Sequence, residues 1–464
     1  MAGVSELTAA QLAHAYSGGA LSPVEVTRAL LERIEGWEPR INAMYRVAPE
    51  AALAQARAAE ARWRAGAPLS PLDGVPVTIK ENIATRGEPA PIGTGANHDA
   101  PPQYADAPPA ARVREAGAVI LGKTTMPDYG MLSSGVSSLH GVTRNPWRLD
   151  RNPSGSSSGA AAAAAAGYAP LHLGTDIGGS LRLPATHCGI FALKPSLGRV
   201  PVLPPYMGRV AGPMTRTVED AARLMNVLAR PDARDFMSLP PAHNDFARDL
   251  ERIEPRQLRV ALLAEMGVGL PVHPEVRAAA EAAAHALDGA GCKVEPIGSF
   301  LTDAMLDGMC RFFEARSYND FMQLPPERRE RVLPFIARWC SWRAERFSGR
   351  EVMQAYALVM AMREAAVAAT ARYDFVLSPS SPILPYEADL PAPGDDPQNA
   401  LPHIAFTVPY NMSEQPAASI NWTWSADGLP IGVQVIGRRF DDAGVLKMSR
   451  LIETLRPAQR AWPE

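Results

Sequence analysis

Short apolar runs alternate with amphipathic stretches along most of the chain, the pattern of a sheet with helices packed against it. Ser22-Pro23-Val24-Glu25 supplies a hydroxyl N-cap, proline at the first helical position and glutamate at N3, which predicts a helix to about Glu35. A second helix is expected over Pro49 to Trp63. Val75-Pro76-Val77-Thr78-Ile79 reads as a strand that delivers Lys80 at its end. Ala110 to Ala116 suits a short helix, Ala118 to Leu121 a buried strand, Ala160 to Ala166 a helix and Ala169 to Leu173 a strand. Thr217-Val218-Glu219-Asp220 opens a capped helix ending near Leu228. Strands are expected again at Leu258 to Leu263, Lys293 to Ile297, Asp374 to Leu377 and Ile431 to Ile436. Helices are expected at His273 to Leu287, through much of Asp303 to Thr370, and at Asp442 to Leu455.

Two segments interrupt this rhythm. Arg230 to Pro255 is rich in proline and charge and is the best candidate for a boundary between two halves. Pro379 to Pro416 is a long proline-rich stretch, and long loops inside compact domains usually serve as lids or binding loops. No repeat of fixed period is present.

Composition narrows the function. With 464 residues, 47% apolar and 20% charged, the chain can bury a large core. A formal net charge of -3 gives no basic face for nucleic acid. Only five of the 46 basic residues are lysines, at 80, 123, 194, 293 and 447, so each lysine merits separate attention. The four cysteines, Cys188, Cys292, Cys310 and Cys340, form no C-x-x-C pair and read as buried thiols, with no zinc site expected. No basic-then-apolar leader opens the sequence, and no run of 18 apolar residues occurs, so a soluble cytoplasmic protein without a membrane partner is the expectation.

Three features carry candidate chemistry. Lys80 ends an apolar strand, where desolvation disfavours its ammonium form and makes a neutral general base available. Gly155-Ser156-Ser157-Ser158-Gly159 crowds hydroxyls ahead of the alanine helix. It matches G-x-S-x-G with Ser157 central, but that elbow needs a hydrophobic strand before it, and Asp150-Arg151-Asn152-Pro153-Ser154 cannot form one. Asp176-Ile177-Gly178-Gly179-Ser180 follows a strand candidate, and its glycines let successive N–H groups converge on one point, as an oxyanion hole requires. Taken singly, each has a plain structural explanation: a paired lysine, a helix cap and a turn.

Together, in this order and spacing, they resemble the amidase signature family. The matching core runs from Asn152-Pro153-Ser154-Gly155-Ser156-Ser157-Ser158-Gly159 through Gly174-Thr175-Asp176-Ile177-Gly178-Gly179-Ser180-Leu181-Arg182-Leu183-Pro184-Ala185 into Cys188-Gly189-Ile190 and Leu193-Lys194-Pro195-Ser196. Flanking matches include Pro71 to Pro76 ahead of Lys80, Gly122 to Pro127, Thr143 to Trp147, Gly212 to Asp220 and Gly428 to Gln434. The chain departs from the family pattern at Ser154 and Ser158, each in place of a glycine, and at Ser196 in place of a threonine.

The resemblance implies a single α/β domain over residues 1–464, with a mixed sheet of about eleven strands flanked by helices. Its signature core would span about 70–228 and a variable, substrate-shaping region about 230–416, with the Arg230 segment a surface excursion. It implies a Ser-Ser-Lys triad in which Ser180 attacks the carbonyl, Ser156 relays the proton from a cis peptide, and Lys80 is the base. The oxyanion would meet the N–H groups of Ile177, Gly178, Gly179 and Ser180, with Ser157, Asp176 and Arg182 in support. His172 and His187 lie outside the matched motif and read as structural. Tyr129, Met131, Leu132 and Ser133 fall where the family lines its acyl pocket, and Pro379 to Pro416 is placed over the leaving-group side.

No metal or cofactor is implied. The expected activity is hydrolysis of a small or aryl amide, with ester and carbamate turnover by the same chemistry. The alternative is a glutamine-hydrolysing A-type chain of a tRNA-dependent amidotransferase, although no basic tract suggests tRNA contact. Homodimers are common in the family; nothing in the sequence itself shows one.

Overall fold

The computed structural model describes residues 3–241 and 245–464. One sheet of eleven strands runs through it, in the spatial order Met44–Val47, Val119–Thr124, Pro76–Lys80, Leu171–Asp176, Val210–Thr215, Phe191–Lys194, Ala417–Trp424, Pro430–Gly437, Phe375–Pro379, Arg259–Leu262, Lys293–Pro296. Sequence-distant strands meet in the middle. Ala417–Trp424 pairs antiparallel with Phe191–Lys194, Ala418 opposite Leu193, and so joins both halves of the chain in one sheet. The mixed α/β sheet flanked by helices is therefore as the sequence implies.

Local chemistry explains the helices. Ser22 caps Pro23–Ile41 with its hydroxyl while Glu25 returns the bond, a complete capping box. Pro49–Arg64, Pro108–Glu115, Ser158–Ala166, Val218–Leu228, Pro274–Gly289 and Asp442–Leu455 lie where the patterning puts them. Asp303–Met322 and Gly349–Thr370 pack against each other in the second half. Gly349–Thr370 is also the one helix among the described residues long and apolar enough to cross a membrane by length and composition.

Four strands of the eleven-stranded sheet escape the sequence patterning: Met44–Val47, Phe191–Lys194, Val210–Thr215 and Ala417–Trp424. Val210–Thr215 carries Gly212-Pro213, and Ala417–Trp424 places Ser419 and Asn421 among its apolar residues, so neither reads as a β-run. Burial in the middle of the sheet overrides those preferences. The Arg230 to Pro255 segment is no break in the sheet; its described part is turns before Pro255, and residues 242–244 of it lie outside the described residues. Pro379 to Pro416 is not an open lid either. Leu401, Ile404, Ala405, Phe406, Thr407 and Val408 within it are buried.

Parallel pairing creates the site's platform. Pro76–Lys80 runs parallel to Leu171–Asp176, with Ile79 opposite Leu173, so Lys80 and Asp176 end at the same edge of the sheet. Ligands in α/β sheets bind at such carboxyl ends. Ser158–Ala166, buried along its whole length, packs over these strands. Its small side chains permit that approach, and Gly159 sets the limit: a Cβ there would lie 2.3 Å from the Ala43 carbonyl oxygen and 2.4 Å from Thr125 Oγ1. Gly159→Ala is expected to destabilise the protein by about 1–3 kcal/mol through overpacking, read as a lower urea midpoint at unchanged slope.

Candidate active site

Lys80 is fully buried at the end of its strand. Its Nζ lies 2.8 Å from Ser156 Oγ, 3.0 Å from Ser157 Oγ and 3.1 Å from Thr175 Oγ1. Burial pushes the amine well below an ordinary lysine, and the positive charge of Arg209 pushes the same way; Asp176 and Glu81 oppose both. Ser156 follows a cis Gly155–Ser156 peptide. Lys80, Ser156 and Ser157, expected together from sequence, are thus assembled, and Thr175 joins them as a third hydroxyl that the sequence does not single out.

Ser157 is no nucleophile elbow. It stands just before the alanine helix without a strand ahead of it and without capping it, donates its hydroxyl to the Thr175 carbonyl at 3.1 Å and accepts from Lys80. Ser154 stands with φ at 63°, a left-handed backbone that favours glycine, while its N–H donates to Asn152 Oδ1 at 2.9 Å. The substituted position therefore keeps the conformation a glycine would have taken. Ser158 opens the alanine helix, buried and with its hydroxyl unpartnered.

Ser180 is half-buried and shares the wall of one cavity of about 680 Å³ with Ser156, Thr175, Asp176, Ile177, Tyr129 and Met131. A smaller cavity of about 30 Å³ adjoins it, lined by Met131, Leu132, Ser133, Ile177, Gly178 and Ser180 and closed by Phe313, Trp339, Leu401 and Ile404. All four pocket residues expected from sequence therefore lie beside Ser180.

The loop that carries Ser180 is fixed by Asp176. Its Oδ1 accepts the Gly179 N–H at 2.7 Å and its Oδ2 accepts the Leu181 N–H at 3.1 Å. This corrects one expectation: the Gly179 amide is spent on a carboxylate and is not free for an oxyanion. The amides of Ile177, Gly178 and Ser180 have no acceptor among the described residues. Gly179 itself has φ at 129°, and a Cβ there would lie 2.5 Å from Thr407 Oγ1.

Arg182 pairs with Asp176 through two contacts, Nε to Oδ2 at 3.0 Å and Nη2 to Oδ1 at 3.1 Å, with both side chains fully buried. Burial alone would raise the Asp176 carboxyl; the Arg182 charge and hydrogen bonds from Arg182 and Asn411 outweigh it and hold it far below the usual carboxylate range. The remaining Arg182 donors reach the Thr407 carbonyl at 2.9 Å, Gln434 Oε1 at 2.6 Å and Asn411 Oδ1 at 2.6 Å. Thr407 also donates to the Gly178 carbonyl at 2.6 Å. Thr407 and Asn411 come from the proline-rich stretch, whose role here is to brace the Ser180 loop. The sequence missed both, and only Gln434 lay within a quoted motif.

The two nearby histidines have structural partners. His172 is held between Thr78 Oγ1 at 2.7 Å and the Ala169 carbonyl at 2.9 Å, and burial pushes it down to about 3. His187, pushed down to about 4 by burial, faces Ser381 at 3.3 Å.

The fold and this site define a hydrolase of amide C–N bonds. A sequence profile described as Amidase matches residues 25–446. The A-type chain of the glutamyl-tRNA(Gln) amidotransferase of Myxococcus xanthus is 33% identical, over 97% of each chain. Among solved structures, a bacterial aryl acylamidase of the amidase signature enzymes superposes with a TM-score of 0.88 at 29% identity, covering 97% of this chain and 96% of that one. A 6-aminohexanoate cyclic dimer hydrolase gives a TM-score of 0.86 at 27% identity, covering 100% and 99%. The chain belongs to the amidase signature family.

The buried ion pair gives a direct test. Arg182→Leu strands the Asp176 carboxylate in the core and is expected to cost about 3–5 kcal/mol in chemical denaturation. Adding Asp176→Leu removes the stranded charge and is expected to recover part of that loss, although the Ser180 loop then has no anchor.

Proposed function

We propose that the chain hydrolyses a carboxylic amide through an acyl-enzyme on Ser180, with Lys80 as general base acting through Ser156. The observation that carries this reading is the buried Lys80 amine among three hydroxyls. A neutral amine has two N–H donors and one lone pair. Ser157 gives its own hydrogen to the Thr175 carbonyl and so accepts from Lys80; Thr175 Oγ1 accepts the second N–H. The lone pair is left for Ser156 at 2.8 Å.

Ser156 then passes a proton both ways. As Ser180 Oγ bonds to the carbonyl carbon, its proton moves to Ser156 and the Ser156 proton moves to Lys80. The oxyanion faces the amides of Ile177, Gly178 and Ser180, which electrostatic preorganisation favours. The relay runs back as the C–N bond breaks, delivering the proton to the leaving nitrogen. Water next attacks the acyl-enzyme and gives its proton to Lys80 along the same route; the ester bond to Ser180 then breaks, the proton returns to Ser180 Oγ and the acid leaves. Esters and carbamates pass through the same intermediate.

The likeness to the aryl acylamidase favours a stand-alone amidase of small or aryl amides. The likeness to the amidotransferase chain favours a second reading, a glutamine-hydrolysing protein that works within a complex. The purified chain separates them: aryl amide turnover without partners supports the first, and glutaminase activity only with partners supports the second.

Ser180→Ala is expected to lower kcat by at least about 10⁴-fold. Because Lys80 must be neutral, kcat/KM is expected to rise with pH through the depressed Lys80 pKa and level off above it, well short of the roughly 10.4 of a free lysine. Lys80→Arg keeps the charge at every working pH and is expected to be inactive throughout; activity in that variant would end the proposal.

A further inference from the structure

Two arginines stand on the wall of the Ser180 cavity without an acid to neutralise them. Arg209 immediately precedes strand Val210–Thr215, and Arg316 projects from helix Asp303–Met322. Arg209 Nη1 donates to the Pro204 carbonyl at 3.2 Å. Arg316 Nη2 reaches only Met131 Sδ, a weak acceptor, at 3.3 Å, and its Nε is buried without a partner. Neither guanidinium forms an ion pair among the described residues, whereas Arg182, Arg199, Arg343 and Arg363 each do.

The acids of this cavity do not change that balance. Asp176 is consumed by Arg182. Asp320 lies on the rim, exposed, and accepts from the Asn319 side chain at 3.4 Å. Arg316 is also held in place without a carboxylate: its guanidinium carbon lies 4.9 Å from the centre of the Tyr206 ring and 5.7 Å from that of Phe313. A planar, stacked guanidinium with unspent donors is a preorganised site for a carboxylate. These guanidinium donors line the cavity and are open to a ligand bound there.

We propose that the substrate is an amide that also carries a carboxylate, bound by Arg209 and Arg316 while its carbonyl lies at Ser180; this rests on the Ser180 reading above and adds the substrate's charge to it. The cavity of about 680 Å³ has room for both groups of a small molecule. The apolar cavity behind Ser180, closed by Phe313, Trp339 and Ile404, offers an anion no such partner except at its Arg316 edge.

Two matched pairs of substrates test this, one with the carboxylate on the acyl side (succinanilate against butyranilide) and one with it on the leaving-group side (4-acetamidobenzoate against acetanilide). Wild-type enzyme is expected to favour the anionic member of at least one pair by roughly tenfold or more in kcat/KM, mainly through KM, with the preference shrinking in high salt. Arg209→Gln and Arg316→Gln are each expected to bring that ratio close to one, and Arg316→Lys to restore part of it. Equal or better use of the neutral member in both pairs, or an unchanged ratio in both glutamine variants, overturns the proposal.

Calorimetric titration of Ser180→Ala with the same four compounds reads recognition without turnover, and tighter binding of an anionic member is expected there too. If Ser180→Ala still hydrolyses these amides, the nucleophile assignment is what fails. If it is inactive but binds the neutral members as tightly, the carboxylate assignment alone fails. Melting curves for each variant confirm that it is folded.

Discussion

An amine at the end of a buried strand has to lose its charge or find an acid, and around Lys80 the partners are hydroxyls. That constraint organises the rest. The strand Pro76–Lys80 lies between two others in the sheet, so the ammonium form would be stripped of water, and burial pushes the amine well below an ordinary lysine. Three hydroxyls then have to come from elsewhere in the chain. Ser156 and Ser157 arrive on the turn that opens the alanine helix, and Thr175 arrives on the adjacent parallel strand. The alanine side chains let that helix sit close enough for the hydroxyls to reach.

Holding the Ser180 loop against this amine demands a second buried element, of opposite character. The Asp176–Arg182 pair keeps both charges, because each is fully met: Asp176 by two backbone amides, Arg182 and Asn411, and Arg182 by Asp176, Thr407, Asn411 and Gln434. A buried ion pair contributes little net stability by itself, yet it ties residues more than two hundred positions apart to one loop. Arg182 thereby connects the signature core to the proline-rich stretch and to strand Pro430–Gly437. The central pairing of Phe191–Lys194 with Ala417–Trp424 makes the same connection through the backbone.

What could be read from sequence follows from this arrangement. Lys80, Ser156, Ser157, Asp176, Ser180 and Arg182 each sit in a contiguous stretch whose local chemistry is unusual, such as a lysine ending an apolar run or a serine after two glycines. Their partners Thr407 and Asn411 lie in a stretch that reads as loop because its prolines break every periodic pattern, and burial there is set by the fold. Strands Val210–Thr215 and Ala417–Trp424 were hidden for a related reason: proline, serine and asparagine interrupt their apolar runs, and their burial in the middle of the sheet is set by the fold. Gly179 shows the limit of motif reading in the other direction: its place in the glycine loop suggests an oxyanion donor, and only the Asp176 carboxylate at 2.7 Å reveals where its N–H goes.

The scarcity of lysine also acquires a physical sense. Three of the five lysines, Lys80, Lys123 and Lys194, are fully buried, and burial pushes Lys123 and Lys194 down to about 7. Burial of a guanidinium has a different outcome, because its intrinsic basicity is so high that Arg209, pushed down to about 10 by burial with the Arg316 charge adding to the effect, stays charged at neutral pH. The same low-polarity surroundings thus disfavour the charge on the amine behind Ser156 and leave the cavity wall positive. Exchanging the two residue types would invert the site, since an arginine at position 80 could not act as a base and a lysine at position 209 would surrender its charge far more readily. The positive wall also acts on Lys80, because the Arg209 charge is the second cause of its low pKa. Lys80 and the cavity wall are therefore one electrostatic unit, set by which basic side chain the sequence places at each depth.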